Sequence, residues 1–208
     1  MKAVFPSLIV LLAAPAVQAA DLSVTVNDAG GKPVSFAVVT WTPKAGAAIP
    51  AAVKSAQYVM TQKNVQFAPF VLAVPVGATV SFPNQDRVNH HVYSFSPAMP
   101  FQLPLYGKGQ TRTVTFTKAG TDALGCNIHD SMSAYIHIVN TPYFATTGAD
   151  GKIVLKGVPE GAGALKVWHP LMDAPDHEVA KALTAGKTNA PQTFAVKVRA
   201  RLTPNGSY

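Results

Sequence analysis

Cys126, His129 and Met132 stand at three-residue intervals in the stretch GCNIHDSM. A thiolate, an imidazole and a thioether make a soft ligand set. Cys126 is the only cysteine in 208 residues, so no internal disulfide accounts for it. Its remaining uses are a buried inert thiol, a bond to another chain, or a metal ligand. Two residues between successive donors suit a loop that folds round an ion. A fourth donor is offered by His90 or His91, 36 and 35 residues before the cysteine. A hydrolase built on Cys126 and His129 would lack a third catalytic member and would leave Met132 unexplained.

Two imidazoles and one thiolate in a plane, with a weak axial thioether, form the blue-copper arrangement. Zinc prefers a tetrahedral set without thioether, although Asp130 could supply a carboxylate and keeps zinc open. Adjacent residues of a strand face opposite ways, so His90 and His91 cannot easily both ligate. His90 is the preferred ligand. Met99 is the other nearby thioether. His137, in YIHIV, reads as a satisfied strand histidine, and His169, in VWHP, as a surface or interdomain residue.

The elements that must hold these donors are strands. LSVTVND, AVVTWTP, VLAVPV, ATVSFPN, TRTVTFT, YIHIVN, KIVLKG, ALKVWHP and TFAVKVRA alternate and are bounded by Gly, Pro, Asn or Asp. That pattern predicts an all-β sandwich protein. The best helical window is 173–186, where one short helix or turn is expected. GKGQTR, 107–112, reads as a hairpin turn. Residues 43–56 read as an Ala/Pro-rich connection, and Thr141-Pro142 as a turn. Between them, 55–141 is a self-contained run.

At these residues the chain resembles the cupredoxins, the plastocyanin and azurin family. VGATVSFPNQD leads to the first His, and FTKAGTDALGCNIHDSMSAYIHIV matches the ligand loop and its closing strand. The tight spacing is most similar to amicyanin. With NTPYF, the chain also resembles exported proteins labelled methylamine-utilisation proteins. The resemblance implies a Greek-key sandwich over 55–141 holding one type 1 copper ion. Its ligands would fall on His90, Cys126, His129 and Met132. The family usually has Asn after the first His; here it is His91, which could take over the hydrogen bond that ties the ligand loops. Residues 22–48, with GKPV between two strands, resemble the opening of transthyretin-like, carboxypeptidase-regulatory-type domains, and 142–200 their continuation. The expectation is one discontinuous sandwich interrupted by the copper domain. The rival is that 22–48 adds strands to the copper domain.

Residues 1–20 carry one Lys, an apolar run and a small-x-small end, the pattern of a secretory signal peptide. A periplasmic protein is expected, with no membrane span. The formal charge is +7, with only 13% charged residues. The basic residues are scattered, so no nucleic-acid stripe is read. An acidic docking surface on a redox partner would suit them. The resemblance implies a one-electron carrier between redox partner proteins, not an enzyme. The alternatives are a copper module for storage, delivery or sensing, and a structural module. Phe95, Pro97 and Met99 are expected at the mouth of the site.

Overall fold

The computed structural model describes residues 19–200, so the signal-peptide reading lies outside the described residues except for Ala19 and Ala20. In chain order, β1 (Ala19–Asp28) and β2 (Val38–Pro43) precede a single helical turn, α1 (Ala51–Lys54). Then come β3 (Tyr58–Val59), β4 (Thr61–Gln62), β5 (Phe67–Ala68), β6 (Val71–Pro75), β7 (Ala78–Pro83) and β8 (His90–Ser94). They are followed by β9 (Phe101–Tyr106), β10 (Thr111–Phe116), β11 (Gly120–Cys126) and β12 (Ser133–Val139). The last strands are β13 (Tyr143–Thr146), β14 (Lys152–Pro159), β15 (Gly161–Trp168), β16 (Glu178–Ala185) and β17 (Gln192–Val196). The protein is an all-β sandwich protein.

The middle strands form a five-stranded sheet, β6-β12-β11-β8-β9, and a three-stranded sheet, β10-β7-β3. Alternation decides which side chains meet between them. On β7, Ala78, Val80 and Phe82 are buried. On β11, Asp122, Leu124 and Cys126 face in, and on β12, Ala134, Ile136 and Ile138 do so. All of these but Asp122 share one apolar core with Phe116 and Met132. Each fully buried Phe, Ile or Met side chain contributes roughly 1.5–3 kcal/mol.

The outer strands form two other sheets, β14-β1-β17 and β13-β2-β15-β16. β1 buries Leu22, Val24 and Val26, and pairs antiparallel with β14 and parallel with β17. β2 pairs with β13 on one side and β15 on the other. No strand of 19–43 joins the sheets formed by the middle strands. Val39 and Trp41 of β2 pack into a second core with Leu155, Leu165 and Phe194. An added Cβ on Gly163 would lie 2.5 Å from the Trp41 ring, so only glycine lets β15 pass under that indole. Val38 instead joins Phe70, Val71, Val139 and Trp168 in a third cluster where the two groups of strands meet.

Two local expectations are corrected. The predicted helical window holds a short 3-10 turn, Pro175–His177, and then strand β16. Asp176 and His177 take positive φ, which stops a helix. The Ala, Lys and Leu of β16 favour a helix locally, but eight-residue pairing with β15 overrides that preference. The segment 107–110 is not a hairpin turn. It carries the chain from β9 in one sheet to β10 in the other.

Asp122 is wholly buried four residues before Cys126 on β11. Its Oδ1 accepts the Met99 N–H at 3.0 Å, while Oδ2 has no hydrogen-bond partner among the described residues. Burial pushes this carboxyl up to about 6, against the opposing pull of the Met99 N–H. The folded value exceeds the unfolded one, so this contribution is fully present below the unfolded value of 3.8 and is lost as pH rises through about 6. Asp122→Asn removes that titration. Its stability relative to wild type is expected to rise by on the order of 2 kcal/mol between pH 4 and pH 7.5. Urea midpoints at the two pH values measure it; an equal difference at both would contradict it.

Candidate metal centre

His90 opens β8, Cys126 closes β11, and His129 and Met132 lie in the turn before β12. Pairing of Cys126 with Val92 across β11 and β8 brings the first histidine beside the cysteine. His129 N–H then donates to the Cys126 carbonyl, and Met132 N–H to the His129 carbonyl, so the turn is tightly wound. Its compactness follows from the two-residue spacings.

His90 Nδ1 lies 3.7 Å from Cys126 Sγ, and His129 Nδ1 lies 3.6 Å from it. One donor atom from each of the three residues lies within 4.8 Å of the others. The two imidazole centroids are 4.9 Å apart. His90 is wholly buried, Cys126 and Met132 are buried in the apolar core, and His129 is half-buried. Such a group of two imidazoles and a thiol fits a soft or borderline metal ion, shielded on all sides but that of His129. Asp130 is exposed and is not one of the three clustered residues.

His91 faces away from the cluster, as strand alternation requires. Its side chain is half-buried, and its ring sits edge-on to Tyr93. Its Nε2 has no hydrogen-bond partner among the described residues. The bond between the two ligand segments comes from the His91 backbone: its carbonyl accepts the Asn127 N–H at 3.1 Å. The expected side-chain tie is therefore a main-chain tie, which any residue at 91 can supply. His90→Ala is expected to lose metal binding at this centre, and His91→Ala to keep it. Copper titration of the two variants distinguishes them; the reverse result would mean that the strand presents the other face.

Sequence reasoning missed Asp86. Its Oδ2 lies 2.8 Å from His90 Nε2, on the far side of the ring from Cys126. Asp86 also accepts the N–H groups of Asn64 and Val65. Burial would raise its carboxyl, but the Val65 N–H, His90 and the Asn64 N–H together hold it below the usual carboxylate value. The segment is braced by Asn84, whose Oδ1 accepts the Asp86 N–H and whose Nδ2 donates to the Val88 and Tyr106 carbonyls. The only signal in the sequence was an acidic residue four positions before a histidine.

Met99 is not at the mouth. Its N–H reaches Asp122, and Gly120 packs against Ala98, so Ala98 and Met99 lie toward the opposite end of β11 from Cys126. Six strand steps span about 20 Å. The exposed Phe95 ring instead sits 4.9 Å from that of Tyr93, which packs over Gly125. The exposed apolar residues nearest the donors in the chain are Val88 and Ile128. His137 contacts Thr121 Oγ1 and stacks on Trp168 with centroids 4.1 Å apart. His169 is buried, and its Nδ1 accepts the Leu171 N–H. Neither belongs to the metal cluster.

No protein-family model matches the chain. No curated protein matches it either. Among solved structures, a purple cupredoxin from Nitrosopumilus maritimus is 20% identical and aligns with 40% of this chain and 100% of its own, at a TM-score of 0.37. An amicyanin variant in the Cu(I) state is 23% identical over 49% of this chain and 98% of its own, at 0.39. A Cu-containing nitrite reductase from Thermus scotoductus SA-01 is 26% identical over 56% of this chain, at 0.39, and the match spans only 28% of that enzyme. These solved neighbours are cupredoxins and a copper enzyme, each aligned with part of this chain.

Proposed function

We propose that this chain is an exported type 1 copper protein that carries one electron at a time between redox partner proteins. The observation that carries the reading is the convergence of His90 Nδ1, Cys126 Sγ and His129 Nδ1 at one buried point. Met132, buried in the same core, would add a thioether ligand. The copper ion would supply the one-electron couple. The chain supplies a stiff cage: two ligands end paired strands, and the other two lie in a turn closed by main-chain hydrogen bonds. A cage that moves little between oxidation states keeps reorganisation small, which electron transfer needs. Exposed Val88 and Ile128 would give a partner an apolar landing beside the centre. The net charge of +7 favours an acidic partner.

The chain would act as a carrier, without turning over a substrate of its own. We also propose that residues 22–48 and 142–200 form one transthyretin-like sandwich with 55–141 inserted in it. Pairing of β1 and β2 with the strands after 142, and their shared core, supports this.

An optical spectrum of the copper-loaded chain tests the function. Intense visible thiolate-to-Cu(II) absorption that disappears and returns on chemical reduction and reoxidation supports a carrier. Colourless, weakly held Cu(I) would instead favour storage, delivery or sensing. No copper uptake would leave a structural module.

A further inference from the structure

We propose that the Asn64–Val65 turn and Asp86 form a clamp that fixes the orientation and tautomer of His90 and places a permanent negative charge behind it, biasing the centre toward its oxidised state. The inference rests on the copper reading given above.

β4 and β5 form a hairpin in which Lys63 and Gln66 exchange both main-chain hydrogen bonds. Its two central residues, Asn64 and Val65, have φ of 56° and 54°. Two left-handed residues in a two-residue hairpin are the pattern of a type I′ turn, where Asn-Gly is favoured. Valine is β-branched and is a genuine outlier in this conformation. A glycine would form the turn without that strain. The turn therefore persists because its surroundings hold it. Val65 packs against the copper-domain core, and both N–H groups point at one carboxylate. Strain of this kind collects where a structure must present groups in a set direction.

The object presented is Asp86, 21 and 22 residues away in sequence from the two donors. Its carboxylate can only accept, so His90 Nε2 must be the protonated nitrogen. That leaves Nδ1, 3.7 Å from Cys126 Sγ, as the nitrogen with a free lone pair. A second partner on the far ring nitrogen fixes ring orientation and raises ligand basicity. The charge of Asp86 acts through one buried imidazole, so it stabilises a more positive metal ion. Asp86 is a positioning residue and does not touch the metal position itself.

The test uses the full chain as wild type, Asp86→Asn and Asp150→Asn. In Asp86→Asn, the amide has no charge and turns a donor toward N–H groups that need acceptors. Its reduction potential is expected to rise and its Cu(II) affinity to fall about 10–100-fold. Asp150→Asn removes one exposed carboxylate just before β14, outside the sheets that hold the centre, so potential and affinity should match wild type. Nitrogen-15 NMR of metal-free wild type should show His90 protonated on Nε2. The proposal is overturned by an Asp86→Asn potential and affinity equal to wild type, or by a wild-type His90 protonated on Nδ1. Should Asp86→Asn not fold, the wild-type tautomer decides. A chain that takes up no copper would sink the electron-carrier reading while leaving the tautomer result to be read independently.

Discussion

Cys126→Ala is expected to abolish the visible absorption of the copper-loaded chain and leave both apolar cores folded. Sγ is the only thiol donor in the chain, and it sits 3.6–3.7 Å from both imidazole nitrogens. Without it, the remaining donors are two neutral imidazoles and a thioether, which give no thiolate charge-transfer band. The structural cost is small because the side chain loses one atom from a buried position. A loss of about 1 kcal/mol is in line with small truncations in a core. In a chain of this length that moves the melting temperature by about 2–4 °C. The variant is checked by absorption after copper addition and by a thermal melt. Blue colour in the variant would place the chromophore elsewhere and remove the copper assignment at Cys126.

The cluster of His90, Cys126 and His129 was legible in part because Cys126 and His129 share one turn, so their spacing alone brings them near each other. Met132 is buried in the core that holds Cys126, and its part as a ligand belongs to the proposal. His90 needed one further step, that its strand lies beside the cysteine strand, and the Cys126–Val92 pairing supplies it. Asp86's role was not legible. Its partners come from a hairpin more than twenty residues earlier, and the decisive feature is a positive φ at Val65, a residue type that gives no hint of it. The misplacement of Met99 has a similar cause. Nearness to His90 in sequence was read as nearness in space, whereas β8 runs away from the centre toward Asp122. β16 shows the converse error: a local preference for helix gave way to a neighbour seen only in the folded sheet.

A chain lacking residues 19–48 is expected to lose the fold of 142–200 while still binding copper. The reason is the position of the two deleted strands. β1 is the middle strand of β14-β1-β17, so removing it leaves β14 and β17 without a partner. β2 lies between β13 and β15, so its removal separates β13 from the rest of that sheet. Leu22, Val24, Val26, Val39 and Trp41 leave the second core together. Each large side chain lost contributes roughly 2–5 kcal/mol, and a domain has only about 5–15 kcal/mol in total. The remaining outer strands cannot close a core over that gap. The sheets that hold His90 and Cys126 contain no residue of 19–48, so the metal centre keeps all its strands. It does lose Val38, which covers Phe70 and Val71 in the third cluster, so some loss of stability and solubility is expected there. Limited proteolysis of the copper-loaded, shortened chain reads both halves at once. Rapid cleavage within 142–200 beside a resistant, coloured fragment covering 55–141 is the expected pattern. Protection of 142–200 to the wild-type degree would show that those strands form a core without β1 and β2, and the inserted-domain reading would then be wrong.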